Sequence, residues 1–121
     1  MGYPVTRVTS IRVPVVLAVE IRAAARSWQT SVSALLAWIL NIALADRLDL
    51  SGLPDAREPL DDKLDVRLSE ELVRRIEPVC KGLKIPLSVY IRTILYGGYT
   101  GQVTLKQAGG RYTLVANHEQ N

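Results

Sequence analysis

The sequence has no phenylalanine, one cysteine, one histidine and one methionine in 121 residues. Without phenylalanine, a core must be filled by aliphatic side chains and the two tryptophans, Trp28 and Trp38. A single thiol, Cys80, excludes an internal disulfide and fits a reducing compartment. The lone histidine, His118, stands in the C-terminal tail, so neither a Ser-His-Asp triad nor a histidine-based zinc site can be assembled around it. No apolar run is long enough to span a bilayer: the most apolar stretch, Val32–Ala45, is short and broken by Ser33 and Asn41. The first residues, Met1 to Arg7, lack the basic region and apolar run of a signal peptide, so a soluble, cytoplasmic protein without membrane contact is expected. Gly97-Gly98, Gly101 and Gly109-Gly110 do not form a phosphate-loop pattern. Cys80 reads as a small buried residue, and the acidic residues Asp61, Asp62 and Asp65 read as a charged linker and strand more readily than as a metal site. These absences leave no case for an enzyme and imply no catalytic residue, cofactor or metal.

What is present is a globular composition, 48% apolar and 22% charged, of a size that suits a single domain over 1–121. The net charge of +3 hides an asymmetry. Residues 46–62 carry six acidic side chains against Arg47 and Arg57, a local −4 that leaves +7 on the rest. A basic body suits a polyanionic partner.

The pattern that organises the chain lies at Leu64–Leu95. Leu64, Val66 and Leu68 alternate with Lys63, Asp65 and Arg67, the period of a half-buried strand. Ser69, then Glu70 and Glu71, marks a helix start, with a hydroxyl acceptor for free amides and carboxylates at the positive end of the dipole. Leu72, Ile76, Val79 and Leu83 follow at helical spacing, and after a turn at Gly82–Pro86 a second helix should run from Pro86 to about Tyr96, stopped by Gly97-Gly98. Pro78 should kink the first helix or end it early.

The same apolar register occurs 55 residues upstream without a gap. Leu17 lies over Leu72, Ile21 over Ile76, Ala24 over Val79, Trp28 over Leu83, Leu36 over Ile91 and Leu40 over Leu95. Identities are few, Arg12/Arg67 and Ser33/Ser88 among them. The reading is a tandem repeat of two strand-helix-helix units, 6–47 and 61–97. In the first, a strand over Thr6–Val13 turns Val8, Ser10 and Arg12 to one face and Thr9, Ile11 and Val13 to the other. Pro14 suits a first helical position, a helix runs to about Ser27, and a second helix over about Val32–Arg47 is apolar nearly all round. Leu48–Asp62 is an acidic linker. Residues 1–5 and 117–121 read as loose ends. A hairpin is expected within 100–116, turning at Gly109-Gly110, with Leu105 facing Leu114 and Gln107 facing Tyr112. Its apolar face of Val103, Leu105, Tyr112 and Leu114 must dock on the body or on a partner.

This strand-helix-helix pattern resembles the ribbon-helix-helix family of DNA-binding proteins, the group of Arc, MetJ and CopG, in a fused form like the TraY type. The resemblance implies an α+β fold in which one chain supplies both strands of an antiparallel ribbon, a monomeric pseudodimer, plus the C-terminal β-hairpin. It implies duplex DNA as partner, with the ribbon in the major groove and base contacts from Ser10, Arg12, Lys63, Asp65 and Arg67, while Val8 reaches only a thymine methyl. A phosphate is expected at the start of each second helix, near Thr30, Ser31 and Ser33 and near Lys84 and Ser88. Pro86 weakens the second clamp because it has no amide to donate. The bland alternatives are a solvated strand face and plain helix caps. A transcriptional regulator is the first functional expectation. An accessory protein of conjugation or DNA transfer, and an antitoxin-like module gripping a protein through the hairpin, are the others. Further association on DNA stays open.

Overall fold

The computed structural model describes residues 6–117; the tail histidine and the terminal residues 1–5 and 118–121 fall outside that range. Over the described residues the fold is α+β, with four helices and two antiparallel two-stranded sheets. The elements in chain order are β1 (Thr6–Val13), α1 (Val15–Ser27), α2 (Val32–Ala45), β2 (Asp62–Ser69), α3 (Glu70–Leu83), α4 (Leu87–Thr100), β3 (Val103–Ala108) and β4 (Arg111–Ala116).

β1 and β2 pair over their whole length, from Thr6 opposite Ser69 to Val13 opposite Asp62. Alternation decides which way each side chain points. Ile11, Val13, Leu64, Val66 and Leu68 are buried under the ribbon, and Val8, Ser10, Arg12, Lys63, Asp65 and Arg67 are exposed above it. The buried residues join Leu17 and Ile21 of α1, Leu36 and Leu40 of α2, Leu72 and Ile76 of α3, and Tyr90 and Ile91 of α4 in one core. The two units interlock, since α1 touches α4 and α3 touches α2. α2 is apolar nearly all round because α1, α3, β2 and β4 all pack on it.

The 55-residue offset holds in the backbone. α2 shifted by 55 covers Leu87–Thr100, the bounds of α4, and α1 so shifted covers all of α3 but its last residue. α1 and α3 end alike. Gln29 (φ 54°) and Lys84 (φ 60°) are left-handed, and the following amides, of Thr30 and Ile85, donate back to Ala25 O (2.9 Å) and Cys80 O (3.1 Å). Those bonds are the helix-ending pattern that satisfies the last free carbonyls. At the helix starts proline and serine trade places: Pro14 and Ser69 precede α1 and α3, Ser31 and Pro86 precede α2 and α4.

Several boundaries differ from the pattern read in the sequence. Pro14 and Pro86 each sit one residue before their helix, in extended conformation. α3 runs unbroken through Pro78. An interior proline costs about 3 kcal/mol, but Leu72, Val73, Ile76 and Cys80 are buried on both sides of it, and each buried aliphatic side chain returns about 1.5–3 kcal/mol. The buried stripe also drifts. Ala25 and Cys80 are in the core, whereas Trp28, Val79 and Leu83 are 50%, 37% and 40% exposed, because each step of four residues turns the stripe by about 40°, toward the side where Ala18 and Val73 are also buried.

α4 does not stop at Gly97-Gly98; it continues to Thr100 and ends at Gly101 (φ 81°). A Cβ on Gly97 would lie 2.6 Å from Cγ2 of Val103, while the corresponding point on Gly98 faces open space. Two neighbouring substitutions should therefore have opposite signs. Gly97→Ala is expected to destabilise the fold by about 1–3 kcal/mol through overpacking, and Gly98→Ala to stabilise it by up to about 1 kcal/mol through helix propensity. Urea unfolding of the two variants beside the parent checks this.

The hairpin β3–β4 has the expected register, with Leu105 opposite Leu114 and Gln107 opposite Tyr112, and Gly109 and Gly110 at φ 60° and 77°. It docks on the body. Val103 and Leu114 are buried, the Tyr112 ring meets Trp38 edge-on at 5.1 Å, and Trp38 lies 5.0 Å from Trp28. Asp46, just after α2, accepts from the Leu114 amide (2.9 Å) and from Arg111 (3.2 Å).

Candidate nucleic-acid interface

The exposed face of the β1–β2 ribbon brings together all five residues expected to read bases. Across the strands Arg12 stands beside Lys63, Ser10 beside Asp65, and Val8 beside Arg67. Paired residues sum to 75 and equivalent residues differ by 55, so Ser10 and Asp65 are at once paired and equivalent. Arg12 and Arg67 fall two residues to either side of this pair, on opposite strands. The Ser10 hydroxyl donates to Oδ1 of Asp65 at 2.5 Å, which partly satisfies the one carboxylate on this face.

The three cations are held differently. Arg12 donates through Nε and Nη2 to the carbonyl of Leu60 at 3.3 and 3.0 Å. The guanidinium of Arg67 and the ammonium of Lys63 have no protein partner among the described residues, although their backbones are engaged. Arg67 and Lys63 are therefore open to a ligand as they stand, while Arg12 must exchange a carbonyl for one.

The helix ends expected to hold phosphate flank the ribbon. Ser31 caps α2, accepting from the Ala34 amide at 3.0 Å. The hydroxyl of Ser33 accepts from the backbone amide of Arg67 at 2.8 Å, tying the start of α2 to the edge of β2. Thr30 lies in the turn before the cap and is exposed. On the other side Lys84 is the exposed left-handed residue closing α3, and Ser88 is half-buried in the first turn of α4, where Pro86 offers no side-chain cap. Neither helix has an acidic residue in its first turn, and apart from the Ala34 amide taken by Ser31 the first-turn amides lack intrahelical acceptors.

The residues missed in the sequence are those that fasten the linker. Arg92, 8% exposed, donates from Nε and Nη2 to both oxygens of Asp55 (2.7 and 2.6 Å) and from Nη1 to the carbonyl of Arg12 (3.0 Å). Hydrogen bonds from Arg92 are the first cause that holds the Asp55 carboxyl below its ordinary range, and Asp55 in turn raises Arg92. Tyr96 donates to Glu58 at 2.8 Å and lowers that carboxyl as well. The signal in the sequence was a lone arginine inside Tyr90-Ile91-Arg92-Thr93-Ile94. Much of the acidic stretch is thus spent on internal contacts along α4 and the hairpin.

Two further ion pairs are equivalent under the offset, with charges exchanged. Arg7 of β1 lies 3.6 Å from Glu77 of α3, and Asp62 of β2 lies 3.2 Å from Arg22 of α1. Arg7 also pairs with Glu70 at 3.2 Å. Each pair joins one unit's strand to the other unit's helix. Matching like with like would oppose Arg7 to Arg22, or Asp62 to Glu77, so the charges favour union of unlike halves.

Cys80 is buried, and desolvation pushes its thiol up, which keeps it protonated and unreactive at neutral pH. Among the described residues no group of three or more His, Cys, Asp or Glu side chains is placed to hold a metal. Among the described residues no single helix is long and apolar enough to cross a membrane. Comparison of the chain with protein-family models, with curated proteins and with solved structures gives no match.

Proposed function

We propose that the chain binds duplex DNA sequence-specifically as a fused ribbon-helix-helix protein, laying the β1–β2 ribbon in the major groove and holding phosphates at the starts of α2 and α4. The observation that carries this reading is the ribbon's outer face, where Arg12, Lys63 and Arg67 stand exposed around the Ser10–Asp65 pair. A two-stranded ribbon has the width the major groove admits. Support for the fused form comes from the equal helix bounds, the matching helix ends and the charge-exchanged ion pairs, all at the same offset. Regulation of transcription is the setting that suits such a contact; an accessory role at a DNA-transfer origin would use the same face. An antitoxin-like grip through the hairpin has less support, because Val103, Leu114 and Tyr112 are already packed against the body.

The geometry also gives the form of the site. Arg12 and Arg67 are each two residues from the Ser10–Asp65 pair on opposite strands, hence about 13 Å apart along the ribbon at about 3.3 Å per residue. That equals roughly four base-pair steps of 3.4 Å. Because one end carries Arg12 with Lys63 and the other Arg67 with Val8, the halves of the site should differ. Selection from a random duplex pool is the test. The expected result is one enriched, imperfectly symmetric motif with guanines about four pairs apart, and an affinity that falls steeply with salt. No duplex retained at low salt would overturn the proposal.

A further inference from the structure

Between α1, α4 and the hairpin lies an open cleft of about 490 Å³, walled by Leu17, Ile21, Trp28, Ile94, Tyr99 and Leu105. Its size is in the range of small-molecule sites, which combine apolar walls with few polar groups. The one ionisable carboxylate lining it is that of Glu20, and Glu20 has no hydrogen-bond or ion-pair partner among the described residues.

The 55-residue offset supplies an internal comparison. The residue equivalent to Glu20 is Arg75, which donates to Asn41 Oδ1 at 2.8 Å. The residue equivalent to Asn41 is Tyr96, whose hydroxyl is turned to Glu58 instead. Glu20 is thus left without the contact its counterpart has. The equivalent cleft, of about 440 Å³, is lined by the oppositely charged Arg47 and Asp49. There the chain after α2 lays Leu50 into the core, 7% exposed, whereas its counterpart Leu105 after α4 is 37% exposed. One cleft therefore carries a balanced pair of charges, and the other a single carboxylate.

We propose that the cleft of α1, α4 and the hairpin binds a lipophilic cation, an organic ammonium or phosphonium with an aromatic or alkyl body, seated on Trp28 and Tyr99 with its charge toward Glu20. Aromatic faces attract a cation through the ring quadrupole, and a carboxylate at the rim adds to that attraction. None of the ribbon's outer residues lines the cleft, so the site is independent of duplex binding.

Trp28 and Trp38 both line it and are the chain's only tryptophans, so their emission reports occupancy. The full chain is titrated with tetraphenylphosphonium and, separately, with tetraphenylborate, which has the same shape and the opposite charge. The expected result is a saturable change with the cation and at least roughly tenfold weaker binding of the anion, although a protein of net charge +3 attracts the anion at long range. Glu20→Gln, an exposed substitution, should lower cation affinity about three- to tenfold with an unchanged melting temperature. Equal affinity for both ions, wild-type cation affinity in Glu20→Gln, or no saturable change with either ion would overturn the proposal.

Discussion

Replacing Arg67 with alanine is expected to lower affinity for the selected duplex by roughly ten- to a hundred-fold, the largest effect of any single ribbon substitution. A bidentate arginine–guanine contact is worth about 1–3 kcal/mol, and about 1.4 kcal/mol corresponds to a factor of ten. The Arg67 guanidinium has no protein partner among the described residues, so its contact with a base gives up no internal bond. Arg12→Ala should cost less, because Arg12 first surrenders the Leu60 carbonyl, an exchange worth about 1 kcal/mol. The double variant should retain only weak, salt-sensitive attraction common to all sequences. Both side chains are exposed, so Arg67→Ala should leave the melting temperature unchanged, and loss of the Leu60 contact should lower that of Arg12→Ala by at most about 4 °C. Anisotropy titrations on the selected duplex and on a scrambled one measure the loss. Equal losses on the two duplexes would mean that these arginines touch phosphate only.

Asp55→Ala should lower folding stability by about 2 kcal/mol. Removing one partner of a buried ion pair typically costs about 3–5 kcal/mol, and a smaller figure applies here because the Asp55 side chain is 37% exposed and water can take its place. The pair holds more than itself. Arg92 also donates to the carbonyl of Arg12, so the linker, α4 and β1 share one guanidinium. The sign of the pH dependence follows from the lowered Asp55 carboxyl. A group whose pKa falls on folding contributes in full above its ordinary value, 3.8 here, and loses that contribution as pH drops through the lower folded value. Parent and Asp55→Ala should therefore differ most at neutral pH and converge below about pH 4. Asp62, lowered by the Lys63 amide and by Arg22, adds acid sensitivity of the same sign that the variant keeps. Urea unfolding at pH 7 and pH 3 measures both the loss and its convergence.

The features legible in the sequence are those set by short-range rules. Period-two alternation was enough to sort Ser10, Arg12, Lys63, Asp65 and Arg67 onto one face, and Gly109-Gly110 fixed the hairpin register through a turn that needs positive φ. The repeat was visible because an ungapped offset keeps apolar positions in phase. What escaped depends on contacts between distant residues. Gly97 and Gly98 look like a stop until Val103 is seen lying against Gly97. Pro78 looks like a break until the burial of Ile76 and Cys80 around it is counted. Asp55 looked like one charge of a solvated linker and is the partner of a buried arginine 37 residues away. The exchange of charges between Arg7/Glu77 and Asp62/Arg22 was present at the repeat offset, but it acquires meaning only once each strand is known to touch the other unit's helix.

The most direct measurement of ribbon-in-groove binding is guanine N7 methylation interference on the selected duplex, with the parent chain and with Arg67→Ala. If the ribbon reads the major groove, methylation of guanines at two positions about four pairs apart blocks the parent, and Arg67→Ala becomes insensitive at one of them while remaining sensitive at the other. If the parent binds regardless of which guanines are methylated, the ribbon does not read bases and the attraction is to the phosphate backbone alone.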